Sequence, residues 1–409
     1  MVKTRYGVSF WFDRLPASRR PSYPRHRGQI GVEVAIVGGG LVGCVTAYVF
    51  AAAGLEVALF ESSRIAQGST IGGNGLVVHE PGPDVQDLLK LYGLRDGKRI
   101  LQVSRRASLD FLATIRRLRI ECGLQQADAI RLTPAPHDDT RLRREHAARR
   151  EAGVETSFLS RSHLVRAAAL TGSGIRSRDH AAIDPYRACL GFAKAAAACG
   201  ARIFEGSPAL RIRPGRKKVE IKTEGGSAAA SCVIVATGRP MGEFKPLRRH
   251  FKPHHSYTVL TPPLPAVIRR TLAPPSLILR DTASPDHWLR WLQRERVLCS
   301  GADQPLVADR ARESAIVQRT GQLMYELSVL YPAISGVPPE YGWDAAYGRT
   351  IDGLPYFGPH RYYPKHLFAF GCGPAGLGLS YLAARLMLRH YLGEPDQGDE
   401  LFAFTRGKE

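Results

Sequence analysis

Three neighbouring segments near the start of the chain alternate between buried strand and helix. Residues 34–37 are continuously apolar and run into glycine, as a buried parallel strand does where it enters a turn. Residues 41–53 have a helical composition that Gly54 closes, and the segment LEVALFE after them has the pattern of a second buried strand. The pattern predicts a β-α-β unit with two parallel strands and a crossover helix.

The pattern changes several times farther along the chain. Residues 84–150 and 313–331 carry apolar residues near helical spacing and predict helices. Residues 218–223 alternate as an exposed strand does, and CVIVATG predicts a buried strand. The Pro-rich region 253–301 contains the runs SLILR, HWLRW and RVLCSGA, which favour an antiparallel sheet. The end of the chain predicts a strand, a glycine-rich turn and a long apolar helix.

Composition indicates a globular protein with reduced thiols. The 409 residues, 44% of them hydrophobic, suffice for two cores. The 7 Cys lack CxxC pairs and the 13 His lack metal-binding spacing, so we expect neither a disulfide framework nor a metal site. The first 30 residues lack an apolar core of signal-peptide length and predict an extended arm on a cytoplasmic protein. The uncharged run 34–55 imitates a membrane span, but its glycines argue against one.

The chain is strongly basic. Its 57 Lys and Arg against 37 Asp and Glu give a formal net charge of +20, which attracts nucleic acid, anionic lipid or acidic substrates. The basic residues are dispersed along the chain, which favours a solvated basic surface over a nucleic-acid site. Peripheral contact with the anionic inner face of a membrane stays open as an alternative.

A GxGxxG motif stands at the junction of the first strand and helix. Gly38, Gly40 and Gly43 occupy positions where a tight turn, close approach to a pyrophosphate and close helix packing each require a missing side chain. The helix N-terminus then points its partial positive charge at the phosphates. Glu61 ends the second strand, where an acid accepts the ribose hydroxyls. Together these features predict a dinucleotide site.

The residues after Glu61 indicate which dinucleotide is bound. The segment ESSRIAQGSTIGGNGLV continues with an arginine and then a small, polar, glycine-rich stretch, which suits a backbone laid against a flat ring system. NAD-binding domains do not require this extension. Residues 236–238, which follow the strand CVIV, mark the point where a returning strand closes over the nucleotide. FAD is therefore the predicted cofactor.

With these motifs the chain resembles the D-amino acid oxidase superfamily of FAD-dependent oxidoreductases, which includes glycine and sarcosine oxidases and γ-glutamylputrescine oxidase. The resemblance covers nearly the whole chain, and the opening YGVSFWFD is closest to the amine-oxidising branch. It implies an enzyme that oxidises the C–N bond of a small amine or amino acid by hydride transfer to the flavin. The motifs that carry it are VAIVGGGLVG, FESSRIAQGST, IDPYRACLGFAKAAAACGARIFEG, CVIVATG, WDAAYGRTIDGLPYFGP and FAFGCGPAGLGLS.

The resemblance also implies which residues hold FAD. The ADP half and the ribityl arm fall to the glycine turn and the segment after the second strand: Val37, Gly38, Gly39, Gly40, Leu41, Val42, Gly43, Glu61, Ser62, Arg64, Gly68, Ser69 and Thr70. Ala209, in the strand of GSPALRI, would lie by the adenine, and Gly75 and Leu76 would pass the isoalloxazine. The returning strand and the C-terminal motifs would close the site: Ala236, Thr237, Gly238, Asp352, Gly353, Gly373, Gly376, Leu377 and Gly378.

The predicted fold class is α/β. A Rossmann-type FAD-binding domain with a parallel sheet would be interleaved with an α+β substrate domain that carries a mostly antiparallel sheet. The predicted division assigns residues 1–30 to the N-terminal arm. It assigns 31–82, 184–240 and 345–409 to the FAD-binding domain, and 83–183 and 241–344 to the substrate domain.

Three departures from the family pattern bear on the substrate and the flavin. Members that oxidise α-amino acids carry an arginine just before the TxDGxP motif to clamp the carboxylate, but Tyr347 stands there in this chain. At the second position where the family binds the carboxylate, in the last glycine-rich turn, this chain has Pro374. Sarcosine oxidases tether their flavin through a cysteine near this stretch, whereas residues 343–350 contain none and Cys372 is the nearest thiol. We therefore expect noncovalent FAD and a substrate other than a simple α-amino acid.

The chemistry requires a neutral amine held against the flavin, so we expect orientation and desolvation of the substrate to contribute most of the catalysis. The candidates for lining the pocket and for catalysis are His79, Tyr257, Trp288, Arg290 and Tyr347. Oxygen as electron acceptor would make the protein an oxidase, and a quinone or carrier would make it a dehydrogenase. Two alternatives stay open: an FAD enzyme acting on a nucleic-acid-bound amine, as in tRNA modification, and a non-catalytic flavin-binding subunit.

Overall fold

The computed structural model describes residues 3–133, 139–373 and 376–406. Within these residues a largely parallel sheet of 8 strands forms from the segments in which apolar residues run continuously. The strands are β2 (Gly28–Val37), β3 (Val57–Phe60), β8 (Arg202–Phe204), β9 (Arg211–Pro214), β10 (Val219–Lys222), β11 (Gly226–Gly238), β17 (Tyr356–His360) and β18 (Tyr363–Phe370). Their spatial order is β17-β18-β11-β2-β3-β8, and a β9-β10 hairpin extends from β11.

A second sheet, of 10 strands within the described residues, is mostly antiparallel, as predicted. The strands are β1 (Arg5–Tyr6), β4 (Leu76–Val77), β5 (Gln125–Thr133), β6 (Ser157–Leu159), β7 (Ser173–Ala182), β12 (Phe251–Leu260), β13 (Leu277–Asp281), β14 (Trp288–Leu292), β15 (Arg296–Pro305) and β16 (Tyr341–Thr350). Their spatial order is β1-β16-β12-β15-β14-β13-β5-β7-β4, and β6 pairs with β7.

Helices cover both sheets. The α-helices in the described residues are α1 (Phe10–Asp13), α2 (Leu41–Ala52), α3 (Ser69–Gly72), α4 (Val85–Arg117), α5 (Asp139–Glu151), α6 (Arg161–Ala168), α7 (Pro185–Ala198), α8 (Ala266–Arg269), α9 (Asp309–Leu330) and α10 (Leu379–Leu392). Helix α2 packs between α7 and α10 over the parallel sheet. Short 3₁₀ turns cover Ala17–Arg19, Gly242–His250, Pro332–Ile334 and Asp399–Phe402. No helix in the described part of the chain is long and apolar enough to cross a membrane.

The segment 84–150, predicted as helical throughout, contains a strand. Strand β5 lies between α4 and α5 and pairs with β7 and β13. Its neighbours in the sheet come from much later in the chain, so a pattern read over one short window could not place it. Helix α5 buries the side chains of Leu142, Glu145 and Arg149, and its other side chains are exposed or half-buried.

The N-terminal arm is packed against the body of the protein rather than extended. Its strand β1 pairs in parallel with β16, and the side chains of Phe10, Trp11 and Leu15 are buried in the main core. Phe10 and Trp11 of YGVSFWFD thus serve as core residues, whereas Tyr6 and Val8 are exposed. The division of the chain into an arm and two interleaved domains stays a prediction.

Candidate functional site

The glycine turn after β2 is shaped by two close backbone approaches. Gly38 has a φ of +111°, and a Cβ there would lie 2.6 Å from the carbonyl oxygen of Ala236. A Cβ at Gly43 would lie 1.9 Å from the carbonyl oxygen of Gly38. Any side chain at either position would push α2 away from the ends of β2 and β11, so the local path of the chain requires glycine at both.

The first turn of α2 is open towards this same point. Gly40, which has no side chain, caps the helix, and the backbone N–H of Leu41 donates to Thr70 Oγ1 over 3.0 Å. The helix runs for 12 residues, and its aligned peptide dipoles place partial positive charge at the turn. This geometry suits the pyrophosphate of a dinucleotide.

Glu61 lies beside the turn at the end of β3. Its carboxylate accepts hydrogen bonds from the backbone N–H of Gly39 (2.6 Å) and of Ser63 (2.8 Å), and from the Ser62 hydroxyl (3.1 Å). An ionised carboxylate held by these donors keeps lone pairs for further donors, as ribose hydroxyls are. Ser62, Arg64, Gly68 and Ser69 are exposed beyond it on the rim of the turn, and Val37 and Thr70 are buried beneath.

The segment of residues 72–77, here called the Asn74 loop, runs from the end of α3 through β4 at the edge of the mostly antiparallel sheet. Its backbone is held by two indoles, since Trp11 Nε1 donates to the carbonyl of Gly73 over 2.9 Å and Trp343 Nε1 to that of Gly72 over 3.1 Å. A Cβ at Gly72 would lie 2.7 Å from the Cβ of Ala345, so β16 crosses the loop in direct contact. Trp11 is 1% exposed, and sequence patterns alone did not indicate its role.

Arg290 is the third support of the Asn74 loop. Its buried guanidinium donates to the carbonyls of Asn74 (3.1 Å), Gly75 (2.8 Å) and Ile183 (3.0 Å). Burial, only partly opposed by Asp184, lowers the pKa of Arg290 to about 10. The Nη1 atom of the side chain predicted to line the pocket thus donates to backbone carbonyls, and it shapes the path of the loop through Gly75 and the buried Leu76.

Tyr347 lies on the side of the second sheet that faces the Asn74 loop. Trp343 and Ala345, on the same alternation of β16, both contact Gly72. The Tyr347 hydroxyl donates to the carboxylate of Asp303 on β15. Burial first, and the neighbouring Asp303 second, raise the pKa of Tyr347 well above its usual range, so the phenol stays protonated.

Tyr257 lies on the opposite side of that sheet. It packs in the core that α9 closes, with Val259 and Leu323, and its hydroxyl accepts from Gln304 Nε2 over 2.6 Å. Strand alternation alone separates it from Tyr347, because Tyr257 pairs with Asp344, whose carboxylate binds Arg312 of α9. The structure therefore does not bring Tyr257 together with the Asn74 loop.

His79 follows β4 and stacks on His180, with ring centroids 4.5 Å apart. Burial, and then the proximity of His180, lower the pKa of His79 to about 4, so the imidazole is neutral near pH 7. Its Nε2 atom is buried without a hydrogen-bond partner among residues 3–133, 139–373 and 376–406. His79 is thus a neutral imidazole two residues beyond the Asn74 loop.

The closing segments come from the C-terminal part of the chain. The Asp352 carboxylate is bound by Arg406 and by the Tyr92 hydroxyl, which fixes the turn at Gly353, where φ is +77°. Val77 forms a bridge with Gly376, which places the last glycine turn against β4. Gly373 precedes this turn, Leu377 is buried after it, and a Cβ at Gly378 would lie 2.3 Å from Ser108 Oγ. Pro374 lies outside the described residues.

Ala209 differs from its expected setting. It lies in the loop between β8 and β9, not in a strand, and is partly buried against the core on the far face of the parallel sheet. Ala236, Thr237 and Gly238 end β11 beside the glycine turn, as predicted for a returning strand. No group of three or more His, Cys, Asp or Glu side chains that could hold a metal ion occurs in the portion of the chain that the structure describes.

These features fit a bound FAD. The backbone cradle at Gly38 and Gly43 tolerates no side chain, and the Glu61 carboxylate stands beside it. Thr350 Oγ1, next to the closing segment, is buried and without a hydrogen-bond partner in the described residues, so it offers a polar atom to a ligand. The fold combines a Rossmann-type sheet with a mostly antiparallel sheet, and its glycine turn suits a dinucleotide.

The chain belongs to the DAO family, described as FAD dependent oxidoreductase, whose sequence profile matches residues 33–389. It is 22% identical to the probable oxidoreductase OrdL of Haemophilus influenzae, covering 89% of this chain and 84% of that protein. It is 24% identical to γ-glutamylputrescine oxidoreductase of Escherichia coli, covering 90% and 86%. Its fold matches the crystal structure of glycine oxidase from Geobacillus kaustophilus with a TM-score of 0.75 at 20% identity, covering 93% and 100%. FAD is therefore the cofactor that the family implies.

Proposed function

We propose that this protein oxidises the C–N bond of a small amine or amino acid, with FAD as the acceptor of the hydride. The observation that carries this proposal is the contact of the Asn74 loop with Trp343 and Ala345 of β16 and, at Val77, with the last glycine turn, in a chain of the FAD-dependent oxidoreductase family. The names of two relatives, γ-glutamylputrescine oxidoreductase and glycine oxidase, support an amine as the reacting group.

FAD would be held without a covalent bond. The cradle at Gly38 and Gly43 would take the pyrophosphate, Glu61 the ribose, and the Asn74 loop the ring system. The strand that precedes the TxDGxP motif, residues 343–350, contains no cysteine. Burial raises the pKa of Cys372 to about 12, so its thiol is a poor nucleophile.

FAD, when bound, accepts two electrons and one hydrogen as a hydride from the carbon next to the amine nitrogen. The amine reacts as the neutral base, its N–H proton passes to solvent, and the resulting imine is hydrolysed by water to a carbonyl and a free amine. The chain's own contribution is to orient the substrate and exclude water. Trp11, Trp343 and Arg290 fix the Asn74 loop for this purpose.

The electron acceptor in the second half of the cycle would be oxygen, or a quinone or carrier. The dispersed basic surface, with a net charge of +20, would favour peripheral contact with an anionic membrane if the acceptor is a quinone. The residue ranges predicted for the two interleaved domains remain part of this proposal.

An anaerobic reduction experiment tests the function. The purified protein is titrated with amines, N-methyl amino acids and α-amino acids while the flavin band near ~450 nm is followed. Bleaching by one of these classes supports amine oxidation, and readmitted oxygen then separates an oxidase from a dehydrogenase. Bound flavin that no amine reduces would contradict the proposal and favour a non-catalytic flavin-binding subunit.

A further inference from the structure

Asp303 stands next to the position at which family members carry the arginine that clamps a carboxylate. Its carboxylate accepts a hydrogen bond from the hydroxyl of Tyr347, the residue at that position, and another from the hydroxyl of Ser256. Its neighbours in the hydrogen-bond network are therefore two neutral hydroxyls. Among the ion pairs of residues 3–133, 139–373 and 376–406, none involves Asp303.

A bulge in β15 turns Asp303 towards the Asn74 loop. Gly301 pairs with Tyr257 and Gln304 with His255, so one extra residue of β15 lies between these two pairs. Ala302, with a φ of +50°, takes up the extra length and packs in the α9 core together with Tyr257. Asp303 therefore projects to the opposite side, where Tyr347 and Ser256 lie.

No nearby charged group forms an ion pair with Asp303 within the described residues. Burial raises the pKa of Asp303 above its ordinary value, Asp286, which is bound by Arg280, raises it further, and the nearby His254 opposes the rise. Arg349 follows Tyr347 on the same alternation of β16, but it is exposed and forms no ion pair with Asp303 in the described residues. A half-buried carboxylate whose hydrogen-bond partners are neutral hydroxyls is costly to desolvate, and a bound cation would offset that cost.

We propose that Asp303, oriented by Tyr347, binds a second, positively charged group of the amine substrate, such as a primary ammonium. The substrate class is then a diamine or another amine with a distant cationic group, rather than a simple α-amino acid. This inference rests on the proposed amine oxidation and specifies its substrate. An arginine at the family position selects for a substrate carboxylate, whereas a carboxylate beside that position selects for a cation and repels an acidic group.

The test compares α,ω-diamines of two to five carbons with monoamines of matched length. The holoenzyme is mixed with each under anaerobic conditions, and the rate of flavin reduction is measured against amine concentration. A charge-assisted contact predicts that diamines are preferred by about tenfold to a hundredfold in the ratio of reduction rate to Kd. The variant Asp303→Asn should reduce that preference to about one.

Two further variants control the experiment. Glu313→Gln removes an exposed carboxylate from α9 on the other side of the sheet, so it changes net charge equally and should leave the preference intact. Tyr347→Phe removes the hydroxyl that orients Asp303 and should lower the preference several-fold. FAD content and thermal midpoint are measured for each variant, so loss of folding is recognised directly.

A second readout does not depend on turnover. The form of 1,4-diaminobutane with three methyl groups on each nitrogen is a dication that has no neutral amine and cannot be oxidised. It should raise the thermal midpoint of the holoenzyme but not that of Asp303→Asn. A wild-type enzyme that prefers α-amino acids, or an Asp303→Asn variant that keeps the diamine preference, would overturn this inference alone. Flavin that neither diamines nor monoamines reduce would instead overturn the proposed function.

Discussion

Replacing Arg290 with methionine separates two roles that a buried arginine in this position can have. In the structure its guanidinium donates to the carbonyls of Asn74, Gly75 and Ile183. A residue of this kind that lined the substrate pocket would instead keep donors free for a ligand. Methionine is unbranched and flexible and fills the space of the arginine's aliphatic part without donating, so the substitution removes the hydrogen bonds while keeping much of the packing.

The magnitude follows from the three carbonyls. A buried acceptor left without a donor costs about 1–3 kcal/mol, but removing a buried guanidinium also relieves its desolvation, which the lowered pKa of about 10 reflects. We expect Arg290→Met to lower the free energy of unfolding by about 2–4 kcal/mol. Because the Asn74 loop then loses its fixed path, FAD affinity should fall at least about tenfold, which corresponds to about 1.4 kcal/mol.

The assay uses two measurements on the same preparation. Urea unfolding of the apoprotein reports stability, and quenching of flavin fluorescence on titration with apoprotein reports the Kd for FAD. Arg294→Met is the matched control, because Arg294 is exposed at the turn that follows β14 and the same substitution there should change neither value.

A different result would refute this reasoning. If Arg290→Met keeps the stability and FAD affinity of the parent protein but needs a much higher amine concentration to reduce the flavin, then Arg290 contacts the substrate. The assignment of Arg290 as a residue that positions the loop would then be wrong.

Three further predictions concern the glycine turn, a buried histidine and the arm. Gly43→Ala should abolish detectable FAD binding, because its Cβ would lie 1.9 Å from a backbone oxygen, whereas Gly31→Ala, with open space around it, should bind FAD normally in the same titration. The folded-state pKa of His79 is about 4, below its usual 6.5, so the free energy of unfolding falls as the pH drops from 6.5 to 4. Urea unfolding should show this free energy falling by up to ~1.4 kcal/mol per pH unit, and His79→Gln should remove that loss. Trp11→Phe loses the indole hydrogen bond to the Asn74 loop, and FAD titration should show several-fold weaker binding; unchanged affinity would exclude a role for the arm.

Local signals were sufficient for the cofactor half of the molecule. The glycines of the GxGxxG turn, the apolar runs of β2 and β3 and the acid at Glu61 lie within one β-α-β unit. The structure has the glycines at the turn, the apolar runs in strands and Glu61 directly after β3. Their geometry depends on neighbours close in sequence, so composition and spacing indicate it directly. The helix predicted to close the chain, α10, is confirmed for the same reason.

The substrate side was less accessible to sequence patterns. Strand β5 was hidden inside a helical pattern because its pairing partners come from later segments. Tyr257 and Tyr347 are both aromatic residues of neighbouring strands, yet they face opposite sides of the sheet. Which side a strand residue faces depends on register, and a shift of one residue inverts it.

The sequence by itself determined the class of fold, the dinucleotide cradle and the presence of Tyr347 where the family pattern has an arginine, because each is a matter of residue identity at locally defined positions. Only the tertiary structure decided that Arg290 supports the Asn74 loop and that Asp303 meets Tyr347. Those contacts join residues 215 and 44 positions apart and depend on one bulge and on the packing of two sheets. Long-range register and packing arise from the whole chain, and no local window of the sequence contains them.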